Sequence, residues 1–364
     1  MGAVPRTLTQ RELTASLFTR QLLHRDQALP AEDAVRRLAA LQAQYSPSPH
    51  IALHSRLPEF DRTDLERALV EGAVVKATLM RGTLHIVAGD DYGHFAAAWR
   101  RQWLTEIRGR HKNAGVDEDA LLAALEKFTT EPRTAQDLRD HVGEVTGGTV
   151  RKGDLVHYAR ALLPLVHVAP SGHWRAHGKP AMVLWQGSLE PEPAATARLV
   201  RRYLAAFGPA SRADIAHFTY LRFRQIDPAL EELELVRYTA EDGRELIDLP
   251  DAPLPPADTP LPVRFLPKWD AALLSHADRT RILPEAIHKD VYKAINGECL
   301  ATYLVDGVVA GTWTHSRARD TATLTMHPLR PADAGAALEE EGERLLSFLE
   351  PDAKKLKVEF DGAG

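Results

Sequence analysis

The sequence contains a single cysteine, Cys299, in 364 residues. A lone cysteine excludes internal disulfides and thiolate metal clusters, and with them disulfide-stapled and zinc-finger folds. Long apolar runs are also missing. No stretch approaches the roughly 18 consecutive apolar residues that a membrane helix needs, and the N-terminal residues lack the apolar core of a signal peptide. We therefore expect a cytoplasmic protein with no membrane partner.

The composition that is present is that of an ordinary globular protein, 44% hydrophobic and 26% charged. The formal net charge of −5 argues against a nucleic-acid partner, but the acidic residues are concentrated in one region. Residues 231–258 hold nine acidic and two basic side chains, so the rest of the chain is slightly basic. Residues 99–112 include Arg100 and Arg101 in a basic run. This run indicates either a DNA-contacting surface or a solvated helix face.

A proline-rich stretch, residues 250–262, divides the chain, because proline lacks an amide donor and fixes φ. Upstream of it, apolar spacings of three and four predict amphipathic helices over residues 31–44, 117–128, 152–163 and 194–207. The second and third helix groups each end in a predicted hairpin, one turning at Ser171-Gly172 and the other at residues 241–243. Three helices and a β-hairpin wing are typical of a winged helix.

The region after the prolines is more strand-like. Strands are predicted over residues 300–305 and 308–314, joined by Asp306-Gly307, a favourable type I′ turn. The connection that follows carries Arg317 and Arg319, and it is predicted either to probe a DNA minor groove or to be an ordinary exposed loop. The domain boundaries expected from these patterns are 1–115, 116–190, 191–250 and 251–364.

A pair of glutamines, Gln42 and Gln44, is the most unusual local feature. We expect the second helix to end near Gln44 or Tyr45, because Pro47 and Pro49 disfavour helical conformation in the residues before them. In an extended exit, side chains at i and i+2 point the same way, so both amides could converge on one small molecule. An uncharged amide suits the holding of a water. The alternative is an ordinary surface pair with satisfied hydrogen bonds.

Three segments resemble the AlkZ/YcaQ family of winged-helix DNA glycosylases, and the likeness runs over essentially the whole chain. They are LAALQAQYSPSPHIALHSRL from Leu38, LMRGTLHIV from Leu79 and FLPKWDAALLSHADRTRILP from Phe265. The Gln-x-Gln pair is similar to the AlkZ-like branch, whereas YcaQ-like members carry Gln-x-Asp. The resemblance implies an α+β, mainly helical fold with three tandem winged-helix modules forming a concave scaffold around a DNA channel, followed by a C-terminal β-rich segment.

The same resemblance implies a function. Gln42 and Gln44 would be catalytic, and the substrates would include bulky or cross-linking N7-alkyl purines in double-stranded DNA. A neutral site fits this chemistry, because N7 alkylation makes the base cationic and a good leaving group before any enzyme acts. What remains is to place a water beneath C1′ and to stabilise an oxocarbenium-like sugar. No lysine lies in the motif, so we expect monofunctional hydrolysis by a monomer without cofactor or metal.

Further candidate DNA contacts come from the other two segments. Arg81, Thr83 and His85 are expected to share one face of a strand, from which Arg81 and His85 could contact phosphate or the motif. The alternative for these two residues is a structural salt bridge. His276 and Arg279 follow an apolar segment and could line the cleft; the alternative there is a buried network in which Asp270 or Asp278 binds Arg279 or Arg281. His50 and His54 have the spacing of helical metal ligands, but a third ligand is missing nearby.

Two rival functions belong to other classes. A winged-helix transcriptional regulator would need a basic third helix and a dimerisation element, and residues 223–234 are instead acidic and contain Pro228. A resistance protein could merely sequester a genotoxin in an apolar cleft. Release of a free base from alkylated DNA distinguishes a glycosylase from both rivals, because neither of them turns over.

Overall fold

The computed structural model describes residues 5–176, 178–293, 295 and 297–361 of the protein. Its α+β fold confirms the predicted class. The first helix group contains β1 (Arg6–Leu8), α1 (Gln10–Arg20), α2 (Ala31–Arg37), β2 (Leu41–Gln42), α3 (Pro47–Arg56), α4 (Arg62–Val70), β3 (Val74–Thr78), β4 (Leu84–Ala88) and α5 (Gly89–Arg110). A capping box of Thr9 and Glu12 begins α1.

The prediction that the second helix extends to Gln44 is wrong. Helix α2 ends at Arg37, Ala39 has a left-handed φ of 63°, and the chain then runs extended. Leu41 and Gln42 pair with β4 there. Val35, Leu38 and Leu41 keep a helical spacing beyond the end of α2 and are all buried, so the sequence pattern did not show where the helix ends.

The two prolines also act differently from the prediction. Pro47 and Pro49 lie in the first turn of α3, where a missing amide donor costs nothing, so they begin a helix. Ser46 has helical φ and ψ, and Ser48 lies within the helix, contrary to the extended conformation expected for both. The motif therefore lies on the short connection between β2 and α3.

The second helix group contains α6 (Glu118–Phe128), β5 (Arg133–Thr134), α7 (Ala135–Val145), α8 (Leu155–Leu162), β6 (Leu165–His167) and β7 (Ala181–Leu184). Its helices confirm the predicted ones, but the hairpin is wider than expected, since the returning strand is β7. The segment around Ser171-Gly172 instead packs on the first group, where the Trp174 amide donates to Glu66 at 2.9 Å. Both groups share one sheet, with strand order β2-β4-β3-β6-β7-β5.

The third helix group contains α9 (Ala194–Phe207), α10 (Arg212–Thr219), α11 (Phe223–Glu231), β8 (Val236–Ala240) and β9 (Glu245–Asp248). The predicted hairpin is confirmed, and β1 from the start of the chain adds to it in parallel with β8. Residues 250–262 contain neither helix nor strand, as the prolines predict.

The C-terminal segment contains β10 (Arg264–Leu266), α12 (Ala271–Leu274), α13 (His288–Val291), β11 (Tyr292–Lys293), β12 (Glu298–Cys299), β13 (Thr302–Val305), β14 (Val308–Ala318), β15 (Thr321–Pro328), α14 (Gly335–Leu349) and β16 (Lys355–Phe360). Strands β10, β13, β14, β15 and β16 form one sheet that packs against α14. Asp306 and Gly307 both have positive φ, as the predicted turn requires.

Two buried ion pairs connect the first group to distant parts of the chain. Arg20 of α1 binds Asp248 of β9, and Arg56 of α3 binds Asp270 through two hydrogen bonds of 2.7 and 2.9 Å. Removal of one partner would leave a buried charge uncompensated. In the part of the chain that the structure describes, each helix is too short or too polar to cross a bilayer.

Candidate functional site

The two glutamine amides meet the same short segment, residues 81–84. Gln42 is 8% exposed, and its Oε1 accepts a hydrogen bond from Arg81 Nη2 at 3.1 Å. Gln44 is exposed, and its Oε1 accepts from the Leu84 backbone amide at 3.4 Å. A side-chain carbonyl has two lone pairs, so each oxygen retains an acceptor position after its protein contact. The strand pairing of β2 with β4 thus holds both amides against one turn.

This turn was predicted as a strand, and that prediction is wrong. Residues 80–82 form a 3₁₀ turn in which Arg81 and Gly82 both have left-handed φ, 57° and 70°. Strand β4 begins only at Leu84, so Arg81 and His85 do not share a strand face. The turn directs the Arg81 guanidinium to the Phe218 carbonyl, at 3.0 Å, as well as to Gln42.

Beside Gln42, the structure brings together two arginines that lack a carboxylate partner. No ion pair among the described residues involves Arg81 or Arg279. Burial, with the nearby Arg279 charge, lowers the pKa of Arg81 to about 10. Arg279 lies over the Tyr292 ring at 4.0 Å and its Nη1 is 3.1 Å from His288 Nε2. We call Arg81 and Arg279 the arginine pair; its uncompensated charge suits a phosphate.

Two neutral histidines border the arginine pair. His85 is 2% exposed, and its ring Nδ1 is 3.0 Å from the Thr83 carbonyl. Burial, assisted by Arg81, lowers the pKa of His85 to about 3. Burial and the two arginines lower the pKa of His217 to about 4. Near pH 7 both rings are therefore uncharged, and His85 supports Gln42 from the next strand without reaching the surface.

A cavity of about 640 Å³ opens beside Gln44. Four aromatic side chains lie in its lining, and they come from four separated parts of the chain: Tyr45, Trp174, Trp269 and Trp313. Pro47, Ile51, Pro267, Ala301 and Leu349 add aliphatic surface. Sequence reasoning missed this aromatic cavity, and its only local signal was that Tyr45 follows the motif directly.

The charged groups around the aromatic cavity are paired. Lys268 Nζ lies 2.9 Å from Glu298 Oε1, and Glu350 is approached by Arg317 at 3.0 Å and by Arg175 at 4.0 Å. His315 lies 3.8 Å from Glu350, and burial lowers its pKa below the ordinary value. The cavity thus differs from the arginine pair, because each of these cations contacts a carboxylate, although Arg175 and Arg317 share Glu350.

A buried lysine, Lys76, lies in the same sheet but on the other face. Side chains alternate along a strand, and in the ladder Gln42 is level with His85 and Ala77 while Lys76 is level with Ile86. Burial lowers the pKa of Lys76 to about 8. Its amine is therefore nucleophilic enough to form a Schiff base, but it projects away from the two glutamines.

The remaining predicted DNA contacts have interaction partners other than the two glutamines. Arg100 donates to the Ala161 and Leu162 carbonyls at the end of α8, and His276, 1% exposed, contacts Ser275 and the Phe207 carbonyl. Arg101 lines a separate groove of about 450 Å³ together with Arg224. Arg317 is bound to Glu350, and Arg319 is exposed in the turn after β14.

The two carboxylates of the alternative network, Asp270 and Asp278, bind arginines other than the expected Arg279 and Arg281. Asp270 binds Arg56, and Asp278 binds Arg244 at 2.5 Å, so neither carboxylate compensates Arg279. The two histidines with metal-ligand spacing make separate contacts: His50 Nε2 is 2.9 Å from the Gly172 carbonyl, and the His54 ring stacks on Phe348. No group of three potential metal ligands occurs within the described ranges.

Comparisons with known proteins agree with the resemblance seen in the sequence. The model of a family described as DNA glycosylase AlkZ-like matches residues 35–348. The interstrand DNA cross-link repair glycosylase of Streptomyces sahachiroi is 22% identical over 331 residues, which cover 83% of this chain and 87% of that protein. The solved structure of S. sahachiroi DNA glycosylase AlkZ has a TM-score of 0.78 at 20% identity, and the match covers 98% of this chain and 100% of that one.

Proposed function

Since the chain belongs to the family of AlkZ-like DNA glycosylases, we propose that it hydrolyses the N-glycosidic bond of N7-alkylated purines in double-stranded DNA. Gln42 and Gln44 are the proposed catalytic residues. The observation that carries the proposal is the convergence of both amides on residues 81–84, between an uncompensated arginine pair and an aromatic cavity. This arrangement matches the scissile bond. The sugar with its flanking phosphates would lie towards the arginine pair, and the alkylated base would lie towards the aromatic cavity.

In the proposed mechanism the free lone pairs of the two Oε1 atoms accept hydrogen bonds from one water. Arg81 fixes the Gln42 amide, and the Leu84 amide fixes that of Gln44, so little reorganisation is needed as the water attacks C1′. The carbonyl dipoles face the positive charge that develops on the sugar. The cationic base leaves as a neutral purine without being protonated, and the proton of the attacking water passes to the solvent. No titrating acid is therefore required beside the base.

The arginine pair is proposed to bind the phosphates next to the reacting nucleotide. An arginine cation would repel the developing oxocarbenium ion unless an anion neutralised it, and a DNA phosphate supplies that anion. Lys76 lies on the opposite face of the sheet. This position supports hydrolysis without strand cleavage, because a lysine nucleophile would have to reach C1′.

Bulky and cross-linking adducts are the proposed substrates. The S. sahachiroi relative is named for interstrand cross-link repair, and the aromatic cavity beside Gln44 supports acceptance of a large substituent here. We also propose that the three helix groups are winged-helix modules around a concave DNA channel, with boundaries at 1–115, 116–190, 191–250 and 251–364. In the second and third groups, three helices precede an antiparallel strand pair.

The proposal is tested by mass-spectrometric detection of the base released from alkylated duplex DNA. The variants Gln42→Ala and Gln44→Ala are expected to lose roughly 10²-fold in the single-turnover rate, a typical effect of removing one oriented dipole from a transition state. Gln186→Ala removes an exposed amide that donates a hydrogen bond to the Leu184 carbonyl, and it should leave the rate unchanged. Folded glutamine variants that match the wild-type rate would refute the assignment, and no released base from any adduct would favour a regulator or a sequestering protein.

A further inference from the structure

We infer that the sheet shared by the first and second helix groups carries, on the face opposite the two glutamines, a binding site for a small oxyanion of the phosphate class. Lys76 of β3, Arg160 of α8 and His167 of β6 form this site, and we call these three residues the seam site. The inference is independent of the proposed function, because it concerns the other face of the sheet.

Strand register places the seam site between two hydrophobic cores. Ala77 pairs with Val166, so the residues next to them, Lys76 and His167, are neighbours on the opposite sheet face. On that face the apolar residues of β3 and β4 belong to the core of the first helix group, and those of β6 and β7 belong to the core of the second. Small-molecule sites occur preferentially at such boundaries between packed units.

The seam site has two cations and no counter-ion. Lys76 is 4% exposed, and within the described residues its ammonium makes no hydrogen bond or ion pair. The acceptor that the Arg160 guanidinium does have is the Met182 sulfur, 3.4 Å from both Nε and Nη2, and a thioether is a weak acceptor. Burial lowers the pKa of both cations, that of Lys76 to about 8, and no described carboxylate raises either. Because a buried cation without a counter-ion is unfavourable, an anion would stabilise this arrangement.

The His167 ring supplies a third donor close to both cations. Its Nδ1 is 3.0 Å from Ser171 Oγ, whereas its Nε2 is buried and has no hydrogen-bond partner. Burial, followed by the charges of Lys76 and Arg160, lowers the pKa of His167 to about 3, so the ring is neutral near pH 7. With Ser171 donating to Nδ1, the ring proton lies on Nε2 and is available to an anion.

The surroundings of the seam site favour a small ligand over a duplex. Gly172, with a φ of 108°, packs so closely on the lysine stem that an added Cβ would lie 3.4 Å from Lys76 Cδ. Arg160 and His167 are partly exposed, so the site is open to solvent on their side, whereas Lys76 lies too deep for a duplex to reach. A phosphate has enough oxygens to accept from an ammonium, a guanidinium and an imidazole at once.

Thermal unfolding of the full chain tests the site, with inorganic phosphate as the probe and chloride at equal ionic strength as the reference, near pH 7. Phosphate should raise the melting temperature of the wild type, because it binds the folded state. Lys76→Met should lose this increase. In chloride the same variant should melt at or above the wild-type temperature, because an uncompensated buried charge is gone. Arg279→Gln is the matched control, since it removes another cation without a described carboxylate partner, and it should keep an increase.

Isothermal titration calorimetry with inorganic phosphate gives the affinity. Lys76→Met and Arg160→Met should each weaken binding about tenfold or more, the scale of one charge-assisted hydrogen bond. Arg160→Met decides the question on its own should Lys76→Met fail to fold. Phosphate binding that survives in the folded variants would overturn the seam site, and so would a wild-type melting temperature that is the same in phosphate and in chloride.

A DNA titration distinguishes a free oxyanion from the DNA backbone as the ligand. Lys76→Met should leave the salt dependence of duplex binding at the wild-type value, because the seam site lies on the face away from the glutamines. A slope that falls by about 0.9, the contribution of one phosphate contact, would overturn the inference and assign the site to the DNA backbone. None of these measurements depends on base release, so failure of the seam site and failure of the proposed function are distinguishable.

Discussion

Replacement of the arginine pair gives the most direct test of where the DNA backbone lies. Arg279→Gln removes a cation that has no carboxylate partner among the described residues and that stacks on Tyr292. Each phosphate contact of this kind contributes about 0.9 to the slope of log K against log salt concentration. We therefore expect the slope to fall by about 0.9 in Arg279→Gln and by about 1.8 when Arg81→Gln is added.

The slope converts into a measurable affinity change. Between about 50 and 200 mM salt, a slope difference of 0.9 corresponds to roughly a 3.5-fold change in affinity per arginine. Fluorescence anisotropy of a labelled duplex, titrated at several salt concentrations, measures it. Arg237→Gln is the control, because this exposed arginine on β8 is paired with Glu245 in the acidic region.

Circular dichroism and thermal unfolding would show that the arginine variants are folded. A slope that stays at the wild-type value in the folded double variant would refute the assignment of the arginine pair to the backbone. A slope that falls equally in Arg237→Gln would refute it as well, because the effect would then report net charge alone.

Three further predictions concern stability and chemistry. Asp270→Ala should lower the free energy of unfolding by about 3–5 kcal/mol in urea titrations, because it leaves Arg56 buried without its carboxylate. Acidification should destabilise the fold, because the pKa values of His85 and His276 are lowered to about 3. Between about pH 6.5 and pH 3 only the unfolded chain takes up these protons, and each histidine lowers the free energy of unfolding by up to about 1.4 kcal/mol per pH unit. Borohydride should trap no covalent complex with DNA, because Lys76 lies on the opposite sheet face.

Each of these predictions has an opposite result that is easy to recognise. An Asp270→Ala variant as stable as the wild type would show that the buried ion pair is dispensable. A melting temperature that does not fall between pH 7 and pH 5 would contradict the neutral burial of the histidines. A trapped complex that disappears in Lys76→Gln would indicate a lyase step.

The helices were predictable because their apolar residues recur at a helical period over long segments. The helix over 194–207 has the bounds expected, and the prolines of residues 250–262 interrupt the chain as their chemistry requires. The motif was harder, since Leu41 continues the helical spacing of α2 and a strand of only two residues, Leu41 and Gln42, is too short to show its own period. Pairing with β4, a non-local contact, decided between them.

The site itself was only partly predictable. Gln42, Gln44, Arg81 and Arg279 could be named from short segments, but the contact of the Arg81 side chain with the Phe218 carbonyl, far along the chain, could not. The aromatic cavity is assembled from four separated segments, and no local pattern connects them. The contacts of Arg100 and His276 could not be predicted either. The sequence does not show whether a basic or polar side chain binds a backbone carbonyl of the protein or an external partner.

The sheets cross the boundaries of the helix groups, and this limits how the protein can be dissected. Ala77 of the first group pairs with Val166 of the second, and the opening strand Arg6–Leu8 completes the sheet of the third. A fragment cut at 116 or 191 would leave bare strand edges that attract other chains. Excised modules should aggregate or misfold, so binding and turnover need to be assigned by point substitution within the intact polypeptide.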